Sequence, residues 1–584
     1  MLKEIPEDET LRQAWNALVE RVHQPQIFYT YEWALAVQHA YGATLHPLLF
    51  LAYDEQNGLC GLAALAADAA SGAVSFLCAT TGDYCDFLAL PEHRKAFVAE
   101  VLAELKRRKV REIKLANLPA DSATVAALRC AARTEHYQSF ARTGYICAQV
   151  SLASLLRRGE NKPVLPRKKM LRRFLNAMGR EAPIRLEHAR SWEQAEGVLP
   201  EFIESHIGRF LVTGRISNLV RKEPRLFLAE LAKLLAQQGW FALTTFAAGR
   251  QVFAWNYGFQ FLGTWFWYQP TFDSDFEKYS PGFCLLAKLV EEAADKPELH
   301  TLDLGLGAED YKERFANQTR ETLYVTLNRS RLRHLREFVR YYSAALLKMQ
   351  PALERRTRSV LARCSLITKR LRRSGILETC RWAGGRLRRS ITARDEVFFY
   401  DLSDPEPSLL GVDGVCLKTL DLNLLAAAAM QNENDESTLT YLLRCAQHLR
   451  TGNRKGFALV NRAGEFLHFA WAGPFDEFYC SEVSSSLAAP EPDSMLLFDC
   501  WTPLSQRGRG YYALAVARVG SLVQSQGERP WIFSAAANTP SVTALEKAGF
   551  KRRFSVIRKR VLRWQTVEQE RLAAIESTTL RAAS

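Results

Sequence analysis

Short apolar runs bounded by glycine, asparagine and proline alternate along this chain with longer stretches whose apolar positions recur every three or four residues. That is the pattern of strands interleaved with helices. Pro47 to Tyr53 and Gly61 to Ala66 predict strands around an Asn57-Gly58 turn. Phe87 to Leu90 and Glu112 to Leu115 predict two more, flanking a helix from Glu92 to Lys109. Trp240 to Phe246, Val252 to Phe259 and Thr264 to Gln269 continue the strand pattern. A helix then opens at Tyr279-Ser280-Pro281-Gly282 and runs to about Ala294, before Leu302-Asp303-Leu304-Gly305-Leu306-Gly307. Toward the carboxy terminus, Glu396 to Leu402, Gly456 to Asn461, Phe466 to Ala472, Met495 to Trp501, Trp531 to Ala535 and Lys551 to Leu562 read as strands, with a helix from Tyr511 to Gln524 among them. Such an order implies an α/β fold with mixed sheets.

Length and charge then divide the chain. Its 584 residues suit three globular units with connections, since domains run to roughly 100 to 200 residues. The net charge of +14 is concentrated: between Arg329 and Arg394, 17 arginines and two lysines face only three glutamates, an excess of +16 that leaves the remainder slightly acidic. Leu332, Leu335, Phe338, Val339 and Tyr342 recur there at helical spacing, as Leu361, Ile367 and Leu371 do more loosely, interrupted by Pro351 and Gly384-Gly385. Three readings compete for this segment: a solvated helical linker, a contact for anionic lipid head groups, and a nucleic-acid contact. The boundaries that follow are 1–160, 161–328, a basic linker 329–394, 395–565 and a tail 566–584.

Other signals exclude classes. Met1 to Val22 lacks the basic and apolar regions of a secretory leader. The most apolar stretch, Gly58 to Thr81, contains Asp68 and three glycines and reads as paired strands. A cytoplasmic chain without a membrane-spanning helix is expected. Twelve cysteines include no Cys-x-x-Cys pair, so neither a zinc site nor a disulfide framework is indicated, and no metal is expected.

The chemistry lies in two places. After the strand ending at Trp501 comes Arg507-Gly508-Arg509-Gly510 and a helix start, an arrangement that offers unpaired backbone N–H groups and positive charge to a diphosphate. Asn538-Thr539-Pro540-Ser541 and a helix ending at Ala548-Gly549-Phe550 follow the next strand. This part, Asp395 to Leu562, resembles the GNAT superfamily of acyl-CoA-dependent N-acetyltransferases. Arg507-x-x-Gly510 matches its pyrophosphate loop, and Asn538 through Gly549-Phe550 its Asn-x-x-Ser/Ala…Gly-Phe segment. Two positions depart from the family: Tyr512 stands where a small residue is usual, and Leu545 where a thiolate-protonating tyrosine is often found.

The amino-terminal signals differ. Tyr279-Ser280-Pro281-Gly282, the strand carrying Asp303, and Tyr311-Lys312-x-x-Phe315 resemble the FemAB-like branch of GNAT proteins, of the CelD/BcsL type of polysaccharide synthesis, over about Leu11 to Asn328. The resemblance implies tandem GNAT-like units, three in all with the carboxy-terminal one, the first degenerate and the second with its Tyr-Ser-Pro-Gly turn in place of the pyrophosphate loop. Ser280 suits a helix cap and Pro281 the first helical position. Cofactor contacts are thus expected from Ser280, Gly282, Arg507, Gly508, Arg509, Gly510 and Asn538. Asp303 or Asp499 is expected as base, with Lys312 as a clamp for an anionic donor or acceptor. Glu204 and His206 share one helix, which either places one of them toward the cleft or leaves them on its surface, and Asp83 and Asp86 either contact a sugar hydroxyl or form turns.

The implied activity is acyl transfer, N- or O-acetyl, from acetyl-CoA or another acyl-CoA to an amino-sugar, glycan or lipid-linked acceptor of exopolysaccharide or cell-envelope synthesis. Attack on the thioester is direct, with orientation, deprotonation and strand N–H groups as the protein's contribution. Two alternatives share the fold: an aminoacyl-tRNA-dependent FemAB-type transferase, and a noncatalytic assembly factor. Attachment to the inner face of the cell membrane through 329–394 is a further expectation.

Overall fold

The computed structural model describes residues 1–155, 165–307, 309–348, 392–561 and 564–571, with 375 and 378 besides. Pro351, Leu361, Ile367, Leu371 and Gly384-Gly385 of the basic segment, and all of the expected tail beyond 571, lie outside the described residues. The chain divides into two compact units, Met1–Arg209 with Ser217–Met349, and Phe210–Ile216 with Gln350–Ser584.

The first unit is built on one 12-stranded sheet. Its strands are β1 (Leu45–Tyr53), β2 (Leu59–Asp68), β3 (Val74–Phe76), β4 (Leu88–Ala89), β5 (Glu112–Pro119), β6 (Gln138–Ser151), β7 (Ile184–Ala189), β8 (Phe241–Ala248), β9 (Gln251–Phe261), β10 (Thr264–Phe272), β11 (Thr301–Leu306) and β12 (Gln318–Asn328). The spatial order is β1-β2-β3-β5-β12-β6-β11-β10-β9-β8-β7, with β4 beside β2. Two strands are exchanged. β6 leaves the first half to pair antiparallel with β11, while β12 returns from the second half to lie between β5 and β6. The expected boundary near residue 160 therefore falls inside a single continuous sheet.

Most pairs are antiparallel, and the exceptions are informative. β10 and β11 are parallel over three positions only, Thr264 to Phe266 beside Thr301 to Asp303. The register of β10 against β9 shifts between Phe266 and Gln269, and that of β11 against β6 between Asp303 and Leu306. An irregularity of this kind bends a strand and increases its twist, so a parallel pair bulged on both members separates into a cleft. The helix Pro281–Ala294 makes the crossover. It buries Phe283, Leu285, Leu286, Leu289 and Val290 against Trp265, Leu302 and Leu304, at roughly 1.5 to 3 kcal/mol for each large apolar side chain. A shorter parallel pair, β3 and β5, flanks the helix Pro91–Arg107 in the first half.

The second unit repeats the plan in an eight-stranded sheet. Its strands are β13 (Thr392–Leu402), β14 (Val415–Thr419), β15 (Lys455–Asn461), β16 (Phe466–Pro474), β19 (Ser494–Trp501), β20 (Arg529–Ala535), β21 (Phe550–Val561) and β22 (Trp564–Arg571), in the order β14-β15-β16-β19-β20-β13-β21-β22, with a separate hairpin of β17 (Phe478–Cys480) and β18 (Ser485–Leu487). Only β19 and β20 are parallel, over Ser494 to Leu497 beside Arg529 to Ile532. The β16–β19 register shifts just beyond, between Phe498 and Trp501, where Asp499 has φ +47°. The helix Tyr511–Ser525 crosses between them and buries Ala513, Val516, Ala517 and Val519 against Tyr400, Ala470, Leu497 and Ile532.

Candidate active site

Asp303 is placed by strand alternation. Leu302 and Leu304 face the helix Pro281–Ala294, so Asp303 faces the opposite side, toward the first half of the unit. It is 2% exposed. Three donors hold its carboxylate: Tyr84 Oη at 2.9 Å and Gln149 Nε2 at 2.8 Å, both on Oδ2, and the Gly305 N–H at 2.8 Å on Oδ1. Burial raises its pKa and these hydrogen bonds work against the rise.

A second carboxylate lies against the same turn. Gly305 has φ +71°, and a Cβ there would stand 2.5 Å from Asp83 Oδ2, so only glycine lets the Asp83 side chain approach this backbone. Burial, followed by the neighbouring Asp303, pushes the Asp83 pKa up to about 7, while Lys312 and an N–H from Leu306 pull the other way. Lys312 is itself 6% exposed and donates from Nζ to the Leu306 carbonyl and to Glu309, each at 2.8 Å. The residue expected as a clamp is thus buried, and its charge lowers the Asp83 pKa. Asp86 is different: it accepts from Ser122 Oγ at 2.6 Å and stands 3.9 Å from Arg94, which fastens the loop. His206 is also structural, bonded through Nδ1 to Ser217 Oγ at 2.9 Å, and burial lowers its pKa to about 3.

Asp83 opens into a cleft of about 630 Å³ between the two halves of the unit. Thr80, Thr81, Asn117, Tyr145 and Tyr324 supply polar groups from the first half and the exchanged strands, and Tyr268, Gln269 and Leu306 supply the diverging ends of β10 and β11. Tyr268 Oη donates to the Thr81 carbonyl at 2.6 Å, tying the two walls together. Gln269 Oε1 is buried with no hydrogen-bond partner. At the end of β10 a short 3-10 turn, Ser274–Tyr279, leads to Ser280 at φ +48°, then to the helix with Pro281 first and Gly282 second. Ser280 stands at the cap position without making a side-chain cap bond. Its left-handed backbone replaces the extended conformation that directs a serine hydroxyl to the first-turn N–H groups.

In the second unit the same succession recurs: strand, a 3-10 turn at Leu504–Gln506, then Gly508 at φ +77° and Gly510 at φ +80° at the helix start. A Cβ on either glycine would meet open space, so the left-handed backbone is what favours glycine there. Arg507 Nε donates to the Thr502 carbonyl at 3.1 Å with its guanidinium over Trp501, and Arg509 donates to Gln506 at 3.3 Å. The first helical N–H groups lack intrahelical acceptors. Asn538 caps the helix Thr539–Lys547, accepting from the Ser541 N–H at 3.4 Å. Tyr512 donates across to, or accepts from, Ser541 Oγ at 3.1 Å, and Leu545 is fully buried. Asp499 is committed: its carboxylate meets Arg444 at 2.9 Å and His448 Nε2 at 3.0 Å, and its carbonyl accepts from Tyr441 Oη. It fastens the bulge of β19.

The structure thus brings Asp303, Lys312, Ser280 and Gly282 into one unit and Asp499, Arg507 to Gly510 and Asn538 into the other. Asp83 and Gln269, outside the expected site residues, join the first set. Among the described residues, no cluster of His, Cys, Asp and Glu has the arrangement of a metal site, and no helix is long and apolar enough to cross a membrane.

Each unit thus sets a short parallel pair of strands that diverges beside a helix start, once at β10 and β11 and again at β19 and β20. Residues 166–313 match the family model of the acetyltransferase (GNAT) domain, a span that includes Ser280, Gly282, Asp303 and Lys312 but neither Asp83 nor the second unit. No curated protein matches the chain in sequence. Among solved structures it is similar to FemX (10% identity over 54% of this chain and 95% of that one, TM-score 0.38). It is also similar to L-PGS from Bacillus licheniformis (11%, 57% and 95%, 0.37) and to a tandem GNAT protein from the clavulanic acid biosynthesis pathway (11%, 56% and 96%, 0.34).

Proposed function

We propose that this chain transfers an acyl group from acetyl-CoA or another acyl-CoA to an amine or hydroxyl of a glycan or amino-sugar acceptor, and that the cleft of the first unit is where transfer occurs. The observation that carries this reading is Asp83: a carboxylate with a pKa of about 7, opening into the cleft where β10 and β11 diverge. A base poised near neutral pH takes a proton from an incoming nucleophile without being permanently protonated. Asp303, held by Tyr84 and Gln149, keeps the Asp83 charge unfavourable, and Lys312 limits the rise. The polar, hydroxyl- and amide-rich walls suit a polyhydroxylated acceptor better than a long apolar chain.

The residues present fit a CoA diphosphate. Ser280 and Gly282 in one unit, and Arg507 to Gly510 in the other, each put a left-handed turn ahead of a helix start. Bound acyl-CoA supplies an activated carbonyl. Strand N–H groups at the divergence stabilise the developing negative charge, Asp83 takes the proton of the attacking amine or hydroxyl, and the C–S bond of the thioester breaks so that CoA leaves as the thiolate and takes up that proton. Calorimetry of the full chain with acetyl-CoA and with deacylated tRNA tests the donor. Tighter binding of the tRNA overturns the CoA reading in favour of aminoacyl transfer, and binding of neither favours an assembly role.

Two further outcomes are expected. Arg507→Glu weakens CoA binding by about 1 to 3 kcal/mol, the size of a charge-assisted contact. Unchanged CoA affinity in the folded variant removes that loop from the donor site. The helix Arg331–Lys348 leaves Leu332, Leu335, Val339, Tyr342 and Leu346 exposed at three- and four-residue steps, with Arg331, Arg333, Arg336 and Arg340 interspersed. We assign this stripe to the surface of an anionic membrane, where each basic residue contributes about 1 kcal/mol before screening. Liposome flotation should increase with anionic lipid and fall with salt. Equal flotation with neutral lipid, or stronger retention by RNA, counts against it.

A further inference from the structure

Two charged residues line the cleft, Asp83 and Arg142, and they are of opposite sign. Arg142 lies on β6, the exchanged strand, where its guanidinium stacks over the Tyr324 ring at 4.4 Å and approaches Tyr341 at 5.6 Å. Stacking engages the flat faces of the group and leaves its N–H donors pointing outward from the edge. One of these makes a long 3.4 Å bond to the Thr143 carbonyl. Among the described residues no carboxylate lies within ion-pair distance of Arg142. An arginine oriented by two rings, facing a cleft and without a counter-charge, is prepared for an anion that arrives with a ligand.

Its distance from the acid pair sets the size of that ligand. Cys147, on the same strand, bridges to Gly307 beside the Asp303 turn, and Arg142 lies five residues back. At about 3.3 Å per residue this is roughly 16 Å of strand, less whatever the arginine side chain reaches back. The cleft therefore offers a base at one end and a cation at the other.

We propose that the acceptor carries an acid group, carboxylate or phosphate, which Arg142 binds while the reacting amine or hydroxyl lies at Asp83. The acceptor class is then an acidic, amine- or hydroxyl-bearing compound. A neutral glycan would leave the guanidinium unpaired in the cleft. This rests on the acyltransfer reading for the role of Asp83, but the anion subsite stands on the geometry of Arg142 alone. The same cation could instead meet a phosphate of CoA, and the experiment separates these sources.

Calorimetry of the full chain with glucosamine, glucosamine 6-phosphate, muramic acid and CoA provides the test, on wild type, Arg142→Gln and Arg142→Lys. Wild type is expected to bind one or both acid-bearing sugars at least about tenfold more tightly than glucosamine, equivalent to about 1.4 kcal/mol. Arg142→Gln should erase that preference with CoA affinity unchanged, and Arg142→Lys should restore part of it. Which sugar shows the preference tells phosphate from carboxylate. Absence of any preference in wild type overturns the proposal, as does an Arg142→Gln variant that loses CoA affinity and keeps the sugar preference. A chain that binds the acidic sugars through Arg142 yet transfers no acyl group fails the acyltransfer reading and leaves the anion subsite in place.

Discussion

Asp83→Asn is expected to lower acyl transfer at pH 7 by about 10²- to 10⁴-fold, the range for loss of a general base, while making the protein more stable above neutrality. The two effects share one cause. Burial and Asp303 raise the Asp83 pKa from 3.8 to about 7 in the folded chain. A carboxyl raised on folding binds its proton more tightly in the native state. Its contribution to stability is fully present below pH 3.8 and is lost as the pH climbs through about 7. Above that the native state carries an unfavourable charge costing up to a few kcal/mol, since each pH unit is worth about 1.4 kcal/mol. Asparagine keeps an acceptor for the Leu306 N–H without the charge. Wild-type kcat/KM should rise with pH around a midpoint near 7, and the variant should lack that rise. Thermal denaturation at pH 8 should show a higher Tm for Asp83→Asn. A variant that retains the rate, or the pH midpoint, removes Asp83 from the chemistry.

Separating the chain at the expected boundary should have a comparably large effect. Produced alone, residues 1–160 would leave β6 without both of its neighbours, and residues 161–349 would leave β12 without β5 and β6. Neither fragment is expected to show a cooperative transition, because each carries unpaired strands whose buried N–H and C=O groups have no alternative partners. Produced together they should form a 1:1 complex, and residues 1–349 as one chain should fold. Circular dichroism and size-exclusion chromatography provide the readout. A sharp unfolding transition of residues 1–160 alone would show that the exchanged strands are dispensable.

These two outcomes also mark how far the sequence alone reaches. Signals that act within a dozen residues were legible. Proline at the first helical position and apolar residues at helical spacing place a helix at Pro281–Ala294, and the basic glycine turn after β19 precedes a helix at Tyr511. Asp303 stood out as a polar residue inside an apolar strand. Asp83 was read as a sugar-hydroxyl contact or a turn residue and not as a base, because its own neighbourhood, Thr81-Gly82-Asp83-Tyr84, has the composition of an ordinary turn. What raises its pKa is burial in the folded unit and then Asp303, far along the chain, with Tyr84 and Gln149 reaching that carboxylate across 219 and 154 positions. Hydrophobic periodicity says that a segment is a strand but not which strand it pairs with, so the exchange of β6 and β12 leaves no local trace. Asp499 was read from its strand position as a candidate base. Its partners Arg444 and His448 lie on a helix whose register against β19 only the folded chain defines.

The exchange has a consequence during synthesis. Ser151, at the end of β6, finds its partner in Thr301 of β11, and Gln149 faces Gln318 of β12. At about 5 to 20 residues per second, a ribosome needs roughly 8 to 30 s to make the chain between Ser151 and Thr301. Throughout that interval the 14 residues Gln138–Ser151, with Ile146, Cys147, Ala148 and Val150 among them, lack both of the strands that flank them in the folded unit. The nascent first half is therefore a client for whatever shields bare strands at the ribosome, and a slower translation rate would lengthen the period in which two such chains can pair with each other.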